Sequence, residues 1–152
     1  MEKHMFFKVN IFFQKRTGLS ASFFQKLIRR SLKKIDAKRG GEVSLVFTDE
    51  RTIRGLNRKY RKKNKSTSIL TFVLSERKKF IFPSQPSLLG EIIICPARAR
   101  IEARREGLGY RKKITFLVIH GFLHLFGFDH KNDRQRKKME RMEGELINLS
   151  GK

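Results

Sequence analysis

The sequence predicts an α+β fold, a single compact domain in which a roughly four-stranded mixed sheet packs with about five helices. Its 152 residues, of which 39% are hydrophobic, suffice for one core and leave little for a second. Short segments with alternating or continuous apolar residues are typical of strands, and longer segments with apolar spacings of three and four are typical of helices. We therefore expect residues 1–152 to form one domain.

The first strand is predicted over residues 7–13, where apolar side chains mostly alternate with polar ones. Gly18 follows, and Ser20 or Ser22 can cap the helix that comes next. Its inward face is formed by apolar residues at spacings of three and four, namely Phe24, Leu27, Ile28, Leu32 and Ile35.

A second strand and helix follow the break at Gly40 and Gly41. Residues 43–47 alternate again, which indicates a strand. Thr48 or Asp49 can then cap a short helix. Its inward residues are Ile53, Leu56 and Tyr60.

Two further strands are predicted over residues 68–74 and 89–95. The second is apolar enough to be a central strand. The basic segment 75–87 between them holds Pro83 and Pro86, so we expect a mobile loop or an irregular hairpin there.

The second half of the chain is predicted to be helical. A proline opens a helix over 96–107, and the stretch 114–125 is apolar almost all round, as a buried central helix must be. Gly127 can supply a left-handed end to that helix. Asn132 or Asp133 caps the last helix, whose inward residues are Met139, Met142 and Leu146.

The composition is strongly basic, with 36 Lys and Arg against 14 Asp and Glu, a net charge of +22 and a pI near 10.9. Because the basic runs are spread along the chain, the excess belongs to the folded surface, and a polyanionic partner is expected. The alternative is a solvated, self-repelling surface, with Lys-rich composition selected at high temperature.

The sequence shows neither an apolar stretch of about 20 residues nor a secretory signal at its start, so we expect a cytoplasmic protein with no membrane association. The single cysteine, Cys95, ends an apolar run. A small buried thiol is expected there, and no disulfide.

Three of the four histidines, His120, His124 and His130, fall within eleven residues. Positions 120 and 124 are one helical turn apart, so both imidazoles share a face, and Gly127 lets the chain return His130 as a third metal ligand. Three neutral imidazoles leave the fourth zinc position open to water, which is typical of a catalytic site and makes a nucleophile available near neutral pH. Asp129 is a candidate to orient an imidazole from outside the ligand set or to handle protons.

Three other interpretations of these histidines stay open. They can be satisfied side chains of a crowded apolar helix, or ligands of a purely structural metal. The spacing is also that of the zincin-like metal helix of metzincin peptidases. Those enzymes need a glutamate directly after the first histidine as general base, whereas Gly121 stands there.

The motif His-Gly-x-Leu-His-Leu-x-Gly-x-Asp-His over 120–130 resembles the signature of the YbeY family of bacterial endoribonucleases and rRNA maturation factors. The resemblance extends to the segments 57–61, 67–72 and 89–92. It also includes Met139, Glu140 and Glu143.

This resemblance implies one zinc on the three histidines and a role near the 3′ end of small-subunit rRNA and in ribosome quality control. By motif position, Arg61 matches the arginine thought to contact the scissile phosphate, and a guanidinium suits phosphate oxygens. Arg61 and His124 are therefore the predicted catalytic residues. Small-subunit and assembly-factor partners are also implied, and no DNA specificity is expected.

Four positions depart from the family pattern. Asn64 stands where Asp is usual and Ser68 where Asp or Asn is common. Thr71 replaces Ser, and Glu91 replaces Asp. Most of these changes keep a hydrogen-bonding group, but Asn64 loses a charge and Ser68 shortens a side chain.

The function hypothesis is a zinc-dependent hydrolase that cuts single-stranded RNA, with the basic surface holding the strand. The first rival is a ribosome-assembly factor that binds RNA and uses its zinc for structural integrity. The second is a metallopeptidase, which Gly121 disfavours.

Overall fold

A computed structural model describes residues 7–36, 41–74 and 88–150. The strands in these ranges are β1 (Phe7–Phe13), β2 (Gly41–Phe47), β3 (Ile69–Val73) and β4 (Leu88–Ile94). The helices are α1 (Ala21–Lys34), α2 (Glu50–Arg61), α3 (Pro96–Glu106), α4 (Tyr110–Leu125) and α5 (Asp133–Ser150). The predicted α+β class is therefore confirmed, and each predicted segment in the described ranges forms the expected type of element.

The strands form one mixed sheet with the order β1-β2-β4-β3. β1 pairs parallel with β2, and β2 pairs parallel with β4. β3 runs antiparallel to β4 and lies at the edge of the sheet. β2 and β4 are central, which explains why their residues are buried almost without interruption.

The two faces of the sheet are covered unequally. The larger hydrophobic cluster joins one face to α1, α3, α4 and α5, and it includes Ile92 and Ile94 of β4. The smaller cluster joins the opposite face to α2 and includes Ile93 and Cys95. Because successive strand residues point to opposite faces, the apolar run of β4 serves both clusters.

The structure decides between the alternative helix caps. Ser20 accepts a hydrogen bond from the backbone N–H of Phe23 at the start of α1. Asp49 accepts one from Thr52 before α2, and this backbone bond lowers the pKa of the Asp49 carboxyl. In the same way, Asn132 accepts from Gln135 at 2.9 Å before α5.

Some boundaries differ slightly from the predicted ones. β3 is one residue shorter at each end, and β4 begins and ends one residue earlier than predicted. α4 begins at Tyr110, one turn before the apolar stretch. The segment 75–87, for which a loop or hairpin was predicted, lies outside the described residues. Across the described ranges, no helix combines the length and the apolar character needed to cross a membrane.

Gly121 is a point of close contact between α4 and the sheet. A Cβ atom built there would lie 2.9 Å from Ile92 Cγ2, 3.0 Å from Thr71 Oγ1 and 3.3 Å from Ile69 Cδ1. Real Cβ atoms almost never approach other atoms below 3.0 Å. Position 121 therefore requires glycine because the helix lies directly on β3 and β4.

Replacing Gly121 by alanine should move α4 away from the sheet and lower the free energy of unfolding by about 1 to 3 kcal/mol, as overpacking does. Urea denaturation of the purified full chain measures this change. Gly55→Ala on α2 is the matched control, because a Cβ there meets nothing within 4 Å. Its stability should be unchanged or raised by up to about 1 kcal/mol. Equal effects of the two substitutions would contradict the packing argument.

Candidate metal centre

His120 and His124 lie one turn apart on α4 and line a cleft beside the edge strand β3. Their Nε2 atoms are 3.3 Å apart, and the two rings meet edge to face. Both side chains are half-buried, at the place where the apolar helix reaches solvent. The i, i+4 spacing predicted from the sequence therefore brings two imidazole nitrogens to one point.

The chain after α4 turns back and brings His130 to the same point. Gly127 has the left-handed backbone predicted for it, with φ of 88°. The N–H groups of Gly127 and Phe128 donate to the last carbonyls of α4, those of His124 and Leu123, each at 3.1 Å. As a result, one ring nitrogen from each of the three histidines lies within 4.8 Å of the others.

Asp129 contacts the backbone of this turn. Its Oδ1 accepts a 2.7 Å hydrogen bond from the N–H of His130, and this bond lowers the pKa of the Asp129 carboxyl. The same oxygen is 4.0 Å from His130 Nδ1, which exceeds hydrogen-bond distance. Asp129 therefore shapes the loop that presents His130.

An imidazole hydrogen bond is made instead by Glu143 of α5. Its Oε2 lies 2.6 Å from His120 Nδ1, and its side chain is 9% exposed. When His120 Nδ1 carries the proton and donates to this carboxylate, the lone pair of Nε2 points toward His124. Glu143 thus fixes the tautomer in which His120 can bind a metal.

Glu143 is one of the residues that resemble the family, but no role is predicted for it from the sequence. A signal was present, because Glu143 falls in the inward stripe of α5 that also holds Met139 and Leu146. A carboxylate in an apolar stripe needs a buried partner. That partner lies on another helix, and only the packing of α5 against α4 shows which group it is.

The donor set fits a zinc-type metal ion. Two nitrogens bound tetrahedrally at about 2.0–2.1 Å from one ion are separated by roughly 3.3 Å, and the Nε2 atoms of His120 and His124 have this separation. Burial, with the neighbouring His120 and His130, lowers the pKa of His124 below its usual value. The His124 ring is therefore neutral at neutral pH, the form in which imidazole binds a metal.

The three histidines line a cleft of about 810 Å³. Arg61, at the end of α2, lines the same cleft. Its Nη2 donates to the carbonyl of Thr71 on the edge strand β3 at 2.6 Å, and its guanidinium carbon lies 5.4 Å from the centre of the Phe72 ring. Two contacts therefore hold the exposed Arg61 side chain along β3, and its remaining N–H groups are left for a ligand.

The cleft is richer in cations than in acids. Its cationic lining residues are Arg61, Lys63, Lys65, Arg98 and Lys131. The two acids in the lining, Glu102 and Asp129, have partners, since Glu102 lies 3.2 Å from Lys113 Nζ and Asp129 lies 3.7 Å from Lys131 Nζ. Such a cleft is suited to an anionic chain.

The positions that depart from the family pattern have different surroundings. Asn64 accepts a 3.0 Å hydrogen bond from Arg54 Nε. Ser68 and Glu91 are buried in the fold. Thr71 alone of the four lines the cleft, and its carbonyl holds Arg61.

Comparison with known proteins agrees with this geometry. The family model described as Endoribonuclease YbeY matches residues 11–151. An endoribonuclease YbeY of Bacillus cereus is 33% identical over 136 residues, which cover 84% of this chain and 87% of the relative. One from Staphylococcus epidermidis is 34% identical over 146 residues, covering 91% and 94% of the two chains.

A solution structure of a Thermotoga maritima protein has the same fold. It superposes with a TM-score of 0.61 over 93% of this chain and 88% of that chain, at 24% sequence identity. The residues that the family model matches, 11–151, include the five described helices, the cleft and its three histidines. The chain belongs to the YbeY endoribonuclease family.

Proposed function

We propose that the protein is a zinc-dependent endoribonuclease that cuts single-stranded RNA. The observation that carries this proposal is the meeting of three imidazole nitrogens, within 4.8 Å of one another, in a cation-rich cleft. The relatives are named endoribonucleases, which supports a phosphodiester as the bond that is cut.

His120, His124 and His130 would hold the metal, and Glu143 would keep His120 in the binding tautomer. Zinc suits three imidazoles, and when bound it supplies Lewis acidity that makes water a better nucleophile near neutral pH. Other divalent metals are possible with the same ligands.

Arg61 contributes charge at the phosphate. Its guanidinium is always protonated and stays in the cleft through its bond to the Thr71 carbonyl. Donors already aimed at the phosphate stabilise the charge that builds up there as the bond breaks, without a further cost of reorganisation. Lys63, Lys65 and Lys131 would hold neighbouring phosphates without regard to sequence.

The biological substrate that we propose is rRNA near the 3′ end of the small-subunit RNA, in rRNA maturation and ribosome quality control in the cytoplasm. The resemblance of the motifs at 57–61, 67–72 and 120–130 to the family supports this. A single-stranded end suits an open cleft, because unpaired strands can lie along a groove that a duplex would not enter.

The packing around Gly121 disfavours the peptidase alternative. The residue after the first histidine is Gly121, which lies against Ile92 and Thr71 of the sheet. A glutamate side chain there would have to displace Ile92 and Thr71, because even a Cβ atom would lie within 3.0 Å of both. No other carboxylate of the described cleft lining is without a partner to act as a base there.

Substitution of a proposed metal ligand should remove zinc from the protein. Tag-free wild type should contain about one zinc per chain, and His124→Ala should contain little. Glu143→Gln should fold but bind zinc about 10- to 100-fold more weakly, because Gln lacks the charge that holds the His120 proton. Elemental mass spectrometry and competition with a zinc chelator measure these values.

Glu140→Gln is the matched control for Glu143→Gln, since Glu140 is an exposed residue of the same helix. It should bind zinc like wild type. A folded wild type that cleaves RNA while free of metal would contradict the proposed mechanism. Loss of the fold in His124→Ala would favour a structural metal and the RNA-binding assembly factor.

The proposed role of Arg61 predicts a loss of cleavage rate. Arg61→Ala in the zinc-loaded protein should lower kcat on a single-stranded RNA by about 100-fold, as removal of one charge-stabilising donor does. Binding of the RNA should weaken far less, because several other cations line the cleft. Single-turnover cleavage with saturating enzyme separates the two effects.

Arg58→Ala is the control for Arg61→Ala. Arg58 lies on the same helix and is exposed, but it does not line the cleft. Its kcat should stay within about twofold of wild type. If both variants lost the same fraction of activity, Arg61 would act only through overall charge.

A further inference from the structure

Arg98 of α3 is a second arginine in the cleft that holds the three histidines and Arg61. Its side chain is partly buried, and its Nε atom is shielded from solvent. This Nε has no hydrogen-bond partner among the described residues. Within the ranges 7–36, 41–74 and 88–150, its guanidinium also forms no ion pair.

The acids around the cleft are occupied by other groups. Glu102, one turn further along α3, lies 3.2 Å from the buried Lys113. Asp129 accepts from the backbone of His130, and Glu143 is bonded to His120. None of these three carboxylates is left to neutralise Arg98.

A shielded guanidinium nitrogen without a partner is costly, because it has lost water and gained nothing in return. Native proteins pair such groups with other protein groups, ordered water or a bound ion. Any partner of Arg98 must be an acceptor, since every polar group of arginine is a donor. In a cleft with more cations than acids, an anion is the acceptor that also neutralises the charge of Arg98.

We propose that Arg98 binds a phosphodiester of the RNA strand other than the one that is cut, and so forms a second phosphate subsite in the cleft. The proposal rests on the proposed function. Arg61 projects from α2 on the β3 side of the cleft, and Arg98 projects from α3, so the two guanidinium groups reach the strand from different elements. Arg98 is a binding residue and takes no part in bond cleavage.

The test compares Arg98→Met with Arg104→Met in the full-length chain. Methionine keeps much of the length of arginine and removes the charge. Arg104 is an exposed residue of the same helix outside the cleft. The probe is a fluorescent single-stranded oligoribonucleotide of about ten nucleotides, and binding is measured in the His124→Ala background, where we expect no cleavage.

Arg98→Met should weaken binding about tenfold, since one charge-assisted contact is lost. The plot of log affinity against log salt should become shallower by about 0.7, the value for one phosphate contact on a single strand. Cleavage is measured on the zinc-loaded protein with His124 intact. There, KM should rise, whereas kcat should stay within about twofold of wild type. Arg104→Met should change none of these values.

A thermal measurement separates binding from structure. If Arg98 has no partner in the free protein, Arg98→Met should unfold at the same or a higher temperature than wild type. Arg98→Lys should restore the salt slope, because it restores the charge, but only part of the affinity, because it lacks the planar fork.

Unchanged RNA affinity and salt slope in Arg98→Met would overturn the proposal while leaving the proposed function intact. A fall in melting temperature that accounts for the lost binding would also overturn it, because Arg98 would then be structural. If the wild type bound no RNA at low salt, the proposed function would fail and the subsite with it.

Discussion

The close contact of α4 with the sheet at Gly121 is the constraint on which the rest of the site depends. A Cβ atom at position 121 would lie within 3.3 Å of side chains of β3 and β4, so the lack of a side chain there lets α4 pack closely on these strands. With Gly121 against the sheet, His120 and His124 lie on the side of the helix that lines the cleft beside β3. The same residue therefore sets the depth of the core and the position of two imidazoles.

Two features outside α4 orient those imidazoles. α5 places the carboxylate of Glu143 against His120, and the turn at Gly127 returns His130 beside them. Both features act on groups that lie in or beside an apolar environment, where a misplaced hydrogen bond is costly. The histidines are thus held in one orientation, which would lower the cost of binding a metal.

The cleft has an excess of positive charge because the few acidic residues near it pair with other groups. The chain has 14 acidic residues against 36 basic ones, and those near the cleft are bound to Lys113, to His120 or to the backbone of the loop at His130. Cations such as Arg61 and Arg98 therefore lack carboxylate partners within the described residues. The cleft therefore keeps part of the high positive charge of the chain, because the acids near it pair with other groups.

The sequence by itself determined the class of fold, the type of nearly every element in the described ranges, and the three clustered histidines, because these depend on local periodicity, on capping residues and on a spacing of one helical turn. Only the tertiary structure decided the strand order, the pairing of Glu143 with His120, and the placement of Arg98 in the cleft. Those features join residues far apart in the chain. A residue's partner across two packed helices depends on how whole elements dock, and no local pattern records that geometry.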